Sequence, residues 1–94
     1  MERESKIEKA FTGAVKDRGG MALKFVSPGL SGVPDRLVLM NCGKLAFVEL
    51  KATGKQMRPL QIKRKRQLEA LGFLVYCIDN IEEIRRVLDE ICAT

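Results

Sequence analysis

The sequence has no histidine, no tryptophan, one tyrosine and three prolines. The missing histidine excludes the most chemistry: Ser/His/Asp and Cys/His triads, histidine-ligated zinc hydrolases and phosphodiester cleavage by a histidine base all need an imidazole. Any catalysis must rest on carboxylates, lysine or a hard cation held by oxygen ligands. Cysteine is scarce as well. Cys42, Cys77 and Cys92 are odd in number and lack CxxC spacing, so neither a disulfide framework nor a zinc site is expected. No apolar run approaches the ~20 residues that span a bilayer, and a membrane protein is not expected. The charged start, Met1 to Lys6, has no secretory signal pattern, so a cytoplasmic rather than secreted protein is expected.

The chain has 94 residues, 46% hydrophobic and 31% charged, which suits one small domain over 1–94 with a modest core. The net charge is +5, and its distribution is uneven. Between Lys51 and Arg66 stand seven basic residues and no acidic one. Such a run fits either a polyanion-binding surface or a solvated helix face.

Apolar residues at Ile7, Ala10, Phe11, Ala14 and Val15 give a helical stripe over 5–18; Ser5 and Glu8 have capping-box spacing, and Gly19-Gly20 ends the helix. Met21 to Val26 reads as a strand that runs into a loop through Pro28, Gly29, Gly32 and Pro34. Arg36 to Met40 and Leu45 to Lys51 read as a hairpin about the turn 41–44, with position 40 expected opposite 45. Pro59 opens a basic helix over 59–71, expected to be anchored by Leu60, Leu68 and Leu71 and stopped by Gly72. A buried strand over 73–78 follows. Asn80 and Glu83 then cap a last helix with Ile81, Ile84, Leu88 and Ile91 on its apolar stripe. The order α-β-β-β-α-β-α gives an α/β fold, a mixed sheet with helices packed on it.

Hairpin pairing brings Asp35 close to residues 49–51, and strand alternation sends Glu49 and Lys51 to one face and Val48 and Leu50 to the other. Charges on a central strand of a small protein are costly without a purpose. Asp35, Glu49 and the Leu50 backbone carbonyl are an oxygen set suited to Mg²⁺ or Mn²⁺, with Lys51 placed to orient water and neutralise developing charge. A lone Glu-x-Lys is common. Gly32-Val33-Pro34-Asp35, the hairpin, Phe47-Val48-Glu49-Leu50-Lys51 and the basic helix together make one coherent phosphodiester-cleaving site.

These residues resemble the PD-(D/E)XK nucleases and, within them, the virus-type replication-repair nuclease (VRR-NUC) domain. The resemblance runs from Lys24 to Arg36, through Phe47 to Lys51 and Leu60-Gln61, to Leu71-Gly72-Phe73. It implies a restriction-endonuclease-like core and a divalent-metal-dependent DNA endonuclease acting in replication, recombination or repair. It further implies a homodimer acting on branched or four-way-junction DNA, in a bacterial or phage-infected cell, without a small-molecule cofactor. The implied roles are Asp35 and Glu49 as metal ligands, Lys51 as catalytic lysine and Gln61 as a site glutamine. Glu8 matches an acidic position that can reach the metal, although its capping-box spacing gives it a second role. Lys24, Ser27, Lys55, Arg58 and Lys63 are the candidate DNA contacts. With so few aromatics, stacking on single-stranded bases has little support, and recognition by backbone shape fits better. Alternatives are a non-catalytic nucleic-acid-binding module and a nuclease active only within a larger complex.

Overall fold

A computed structural model describes residues Met1–Thr94. The order is α1 (Glu4–Asp17), β1 (Met21–Lys24), β2 (Arg36–Met40), a short 3₁₀ turn (Asn41–Gly43), β3 (Lys44–Leu50), α2 (Pro59–Ala70), β4 (Leu74–Ile78) and α3 (Glu82–Ala93). The four strands lie in sequence order in one sheet, antiparallel from β1 to β3 and parallel between β3 and β4. The α-β-β-β-α-β-α order and the mixed sheet agree with the sequence reading, and no helix is long and apolar enough to cross a membrane.

Strand alternation divides the sheet into two unlike faces. Val38, Met40, Ala46, Val48, Leu50 and Ile78 share one face and pack with Ile7, Phe11 and Val15 of α1 and Ile84, Val87, Leu88 and Ile91 of α3. The apolar stripe of α3 is thus spent on the protein's own core, which rules it out as a surface for a second copy. The opposite face carries Leu37, Phe47 and Val75 in one row and is covered by α2. Phe25, Phe47 and Phe73 form a ring chain there, with centroids 5.6 and 5.7 Å apart.

Four local expectations change. The hairpin register places Met40 opposite Lys44, because Cys42 (φ 63°) and Gly43 (φ 72°) close the turn within three residues. The start of α1 lies at Glu4 and has no side-chain cap, so the Ser5–Glu8 capping box does not form. The leucines expected to anchor α2 are poorly buried: Leu60 is 40% and Leu71 73% exposed, and no residue of α2 is fully buried. Polar contacts to the loop and sheet supplement its thin packing. Finally, β4 starts at Leu74, since Phe73 N–H is drawn back to the Leu68 carbonyl (3.1 Å) as part of the α2 C-cap. The Asn80 cap of α3 does form, with its Oδ1 accepting from Glu83 N–H at 3.0 Å.

The return from α1 into β1 tests this packing. A Cβ on Gly20 would lie 2.5 Å from Met40 Sδ and 2.7 Å from the Leu39 carbonyl oxygen, whereas Gly13 on α1 has open space. Gly20→Ala is expected to destabilise by about 1–3 kcal/mol and Gly13→Ala to stabilise by up to ~1 kcal/mol. Urea unfolding followed by circular dichroism measures both; equal effects of one sign would contradict the packing described.

Candidate active site

Continuing the β2–β3 register places Asp35 directly opposite Glu49, and Glu49 is paired in turn with Cys77 on β4. Phe25 joins the row from β1, with its N–H donating to the Asp35 carbonyl at 2.8 Å. Where the chain enters β2 after Pro34, the Asp35 side chain replaces a backbone acceptor: its Oδ2 accepts from Leu50 N–H at 2.9 Å. Reciprocally, Glu49 Oε1 accepts from Asp35 N–H at 3.2 Å. Each acid is held by the backbone of the other's strand.

Glu49 is only 1% exposed, the one charged residue in the buried set. Its Oε2 faces Lys51 Nζ at 3.3 Å and accepts from Gln61 Nε2 at 2.5 Å. Gln61 Oε1 also accepts from Arg58 N–H at 2.8 Å, so this one side chain caps the start of α2 and fixes Glu49. Burial, and then the neighbouring Asp35 charge, push the Glu49 carboxyl above the usual glutamate range, while Lys51 opposes the shift. Burial likewise pushes the Cys77 thiol up to about 11, with the Glu49 charge contributing.

The loop before Asp35 is seated against the same helix. Gly32 adopts φ +84°, and a Cβ there would lie 2.7 Å from Leu60 Cγ. Arg64 completes the contact, its Nε–H donating to the Ser31 carbonyl at 2.7 Å.

The structure therefore gathers Asp35, Glu49, Lys51 and Gln61, along with the Leu50 backbone that bonds to Asp35. Glu8 is not gathered into one cluster with the two acids, and no three acidic or thiol groups are spaced to hold a metal. Its carboxylate pairs with Arg36 at 3.2 Å, and Arg36 lies on the core-facing parity of β2, so Glu8 stays in the helical layer. It nevertheless lines a small polar pocket of about 230 Å³ with Lys24, Phe25 and Asp35. Of the candidate DNA contacts, Lys24 borders the site and Ser27 lies in the adjoining loop; Lys55, Arg58 and Lys63 are exposed between β3 and the middle of α2. Sequence reasoning missed Arg36, Arg64 and Phe25. Arg36 had a signal, a charge at a strand parity otherwise occupied by Val38 and Met40; Arg64 and Phe25 had none, because their roles depend on partners far along the chain.

No protein-family model matches the chain. A protein of Acyrthosiphon pisum secondary endosymbiont phage 1, named "Putative nuclease p44", is 49% identical over 78 residues, 83% of this chain and 84% of that protein. A solved structure described as "VRR_NUC domain" superposes with a TM-score of 0.87, covering 95% of this chain and 97% of its own, at 23% identity. The sheet, the paired acids beside a lysine, and these two likenesses converge: the chain has the VRR-NUC fold and belongs to one family of nucleases with the phage protein.

Proposed function

We propose that this nuclease hydrolyses DNA phosphodiester bonds with the aid of Mg²⁺ or Mn²⁺, acting on branched DNA such as a four-way junction. The observation that carries the reading is Glu49: a carboxylate 1% exposed, set opposite Asp35 and 3.3 Å from Lys51. Burial raises the Glu49 pKa and the Asp35 charge adds to it; a hard cation would offset both the burial of that charge and the repulsion between the two acids. The donor set fits such an ion, with Asp35, Glu49 and the Leu50 carbonyl as its protein ligands. When bound, the cation supplies positive charge to the phosphate and acidifies water. Glu8 would join only by leaving Arg36.

The protein's own groups do the rest. Lys51, with its side chain 13% exposed, orients the attacking water and balances the charge that develops on phosphorus-bound oxygens. Gln61 holds Glu49 in place and ties the site to α2. Lys24, Lys55, Arg58 and Lys63 are proposed to meet backbone phosphates, and Ser27 to donate to one. Paired cuts across a junction need two sites, which supports a homodimer. A phage relative supports an infected bacterial cell as the working place. A binding module without catalysis fits less well, because buried acids at a DNA surface repel the ligand unless a cation intervenes.

Asp35→Asn, Glu49→Gln and Lys51→Ala are each expected to slow junction cleavage on the order of 10²–10⁴-fold, with binding in EDTA kept within severalfold. Wild-type rates in all three would overturn the site assignment. Gln61→Leu should lower kcat while leaving DNA binding intact, as single-turnover kinetics would report.

A second expectation concerns pH. The folded protein holds the Glu49 proton more tightly than the unfolded chain does, so without metal its contribution to stability falls as pH rises from the ordinary glutamate range through the raised value. Metal binding needs the deprotonated form. The rise in Tm on adding Mg²⁺ should therefore be largest on the alkaline side of that raised value, shrink as pH falls through it, and be absent in Glu49→Gln. An equal rise at pH 5 and pH 8 would contradict it.

A further inference from the structure

Beside the site lies a cleft of about 530 Å³ whose lining is mostly apolar. Phe25, Leu30 and Val33 of the loop after β1 form one wall, and Leu68 of α2 and Leu71 at its C-cap the other. Two of these side chains are largely open to solvent, Leu30 at 45% and Leu71 at 73%. We propose that this cleft receives an unpaired nucleobase of the DNA, next to the phosphate that is cut. The inference rests on the DNA-cleaving reading above and specifies its substrate as DNA with a nucleotide out of the stack.

Three observations support this occupant. The first is continuity with the acids: Phe25 lines both the cleft and the polar pocket of Asp35, and its N–H is bonded to the Asp35 carbonyl. A chain whose phosphate reaches Asp35 and Glu49 has its neighbouring base within reach of that opening. The second is the chemistry of the rim. Arg64 and Gln67 border the cleft, and Arg64 Nη1 donates to Gln67 Oε1 at 3.0 Å, which leaves the Gln67 amide N–H₂ to donate to a base edge. The third is shape and charge. The volume falls in the ~300–1,000 Å³ range of small-ligand sites, and basic residues on α2 attract the backbone that would carry the base.

Arg64 fixes the cleft's width by bonding the Ser31 carbonyl across it. This placement also answers the shortage of exposed aromatics. The base enters an apolar slot walled by Phe25 instead of lying on a surface ring, and base extrusion costs least where pairing is already absent. Branch points and bulges meet that condition, whereas regular duplex does not.

The test uses the full chain in EDTA and three duplexes of equal length: fully paired, with one bulged adenine, and with an abasic residue at the bulge. Fluorescence anisotropy is expected to show about tenfold tighter binding of the bulged adenine than of the abasic bulge. Leu30→Ser and Leu71→Ser, both at exposed positions and without a change of charge, should bring that ratio close to one while binding of paired duplex changes less than about twofold. 2-Aminopurine at the bulge, which needs no variant, should change its emission on binding the wild type. Equal affinity for adenine and abasic bulges, or a ratio unchanged in both variants, would overturn the proposal and leave the nuclease reading standing. A wild-type dimer that Leu71→Ser splits, with no base preference, would assign the cleft to a second copy and likewise overturn it. Failure to bind or cleave any DNA would instead overturn the DNA-cleaving reading, and this inference with it.

Discussion

The site depends on a mutual restraint between two strands. The Leu50 N–H donates to the Asp35 carboxylate, and the Asp35 N–H donates to the Glu49 carboxylate. These bonds close the ladder where the chain enters β2 after Pro34, so the acids that concentrate negative charge also satisfy backbone groups that would otherwise be buried unpaired. Removing either acid would disturb the sheet as well as the candidate site. A buried carboxylate is costly, and Glu49 offsets that cost through three donors: the Asp35 backbone, Lys51 and Gln61. Gln61 passes the restraint on to α2, so a helix with little buried surface is still set at a defined place over the site.

The sheet divides labour between its faces. One is dry, filled by α1 and α3, and contributes the folding energy of a small core. The other carries the acids, the phenylalanine chain and a loosely covered apolar surface beneath α2. A chain this short cannot bury both faces fully, and the under-packed side is where nucleic acid has room to approach. Arg36 stands at the boundary. Its alternation places it on the core side, where it holds Glu8 in the helical layer and separates that acid from Glu49.

Much of this is legible in the sequence, because it rests on short-range rules. The stripe at Ile7, Phe11 and Val15, the Asn80 cap, Pro59 at a helix start and the alternation of Val48, Glu49 and Leu50 all report local geometry, and each element formed near its expected bounds. The misreadings share a different cause. The Ser5–Glu8 capping box failed because α1 starts one residue earlier than Ser5 and Arg36 takes Glu8. The α2 leucines look like anchors by spacing, but they have only a thin surface to meet.

The sequence by itself narrowed the kind of chemistry: with no histidine, any catalysis must rest on carboxylates, lysine or a hard cation held by oxygen ligands, and the hairpin pattern makes Asp35, Glu49 and Lys51 the candidates. It also determined the order of elements, since periodicity and capping act over a few residues. Tertiary structure alone decided the register that puts Asp35 opposite Glu49, because a left-handed residue at Cys42 tightened the turn by a position that composition does not reveal. It alone decided the partner of Glu8 and the cleft between residues 25–33 and 64–71, since these follow from side chains that meet only when the strands align and α2 folds back over the sheet.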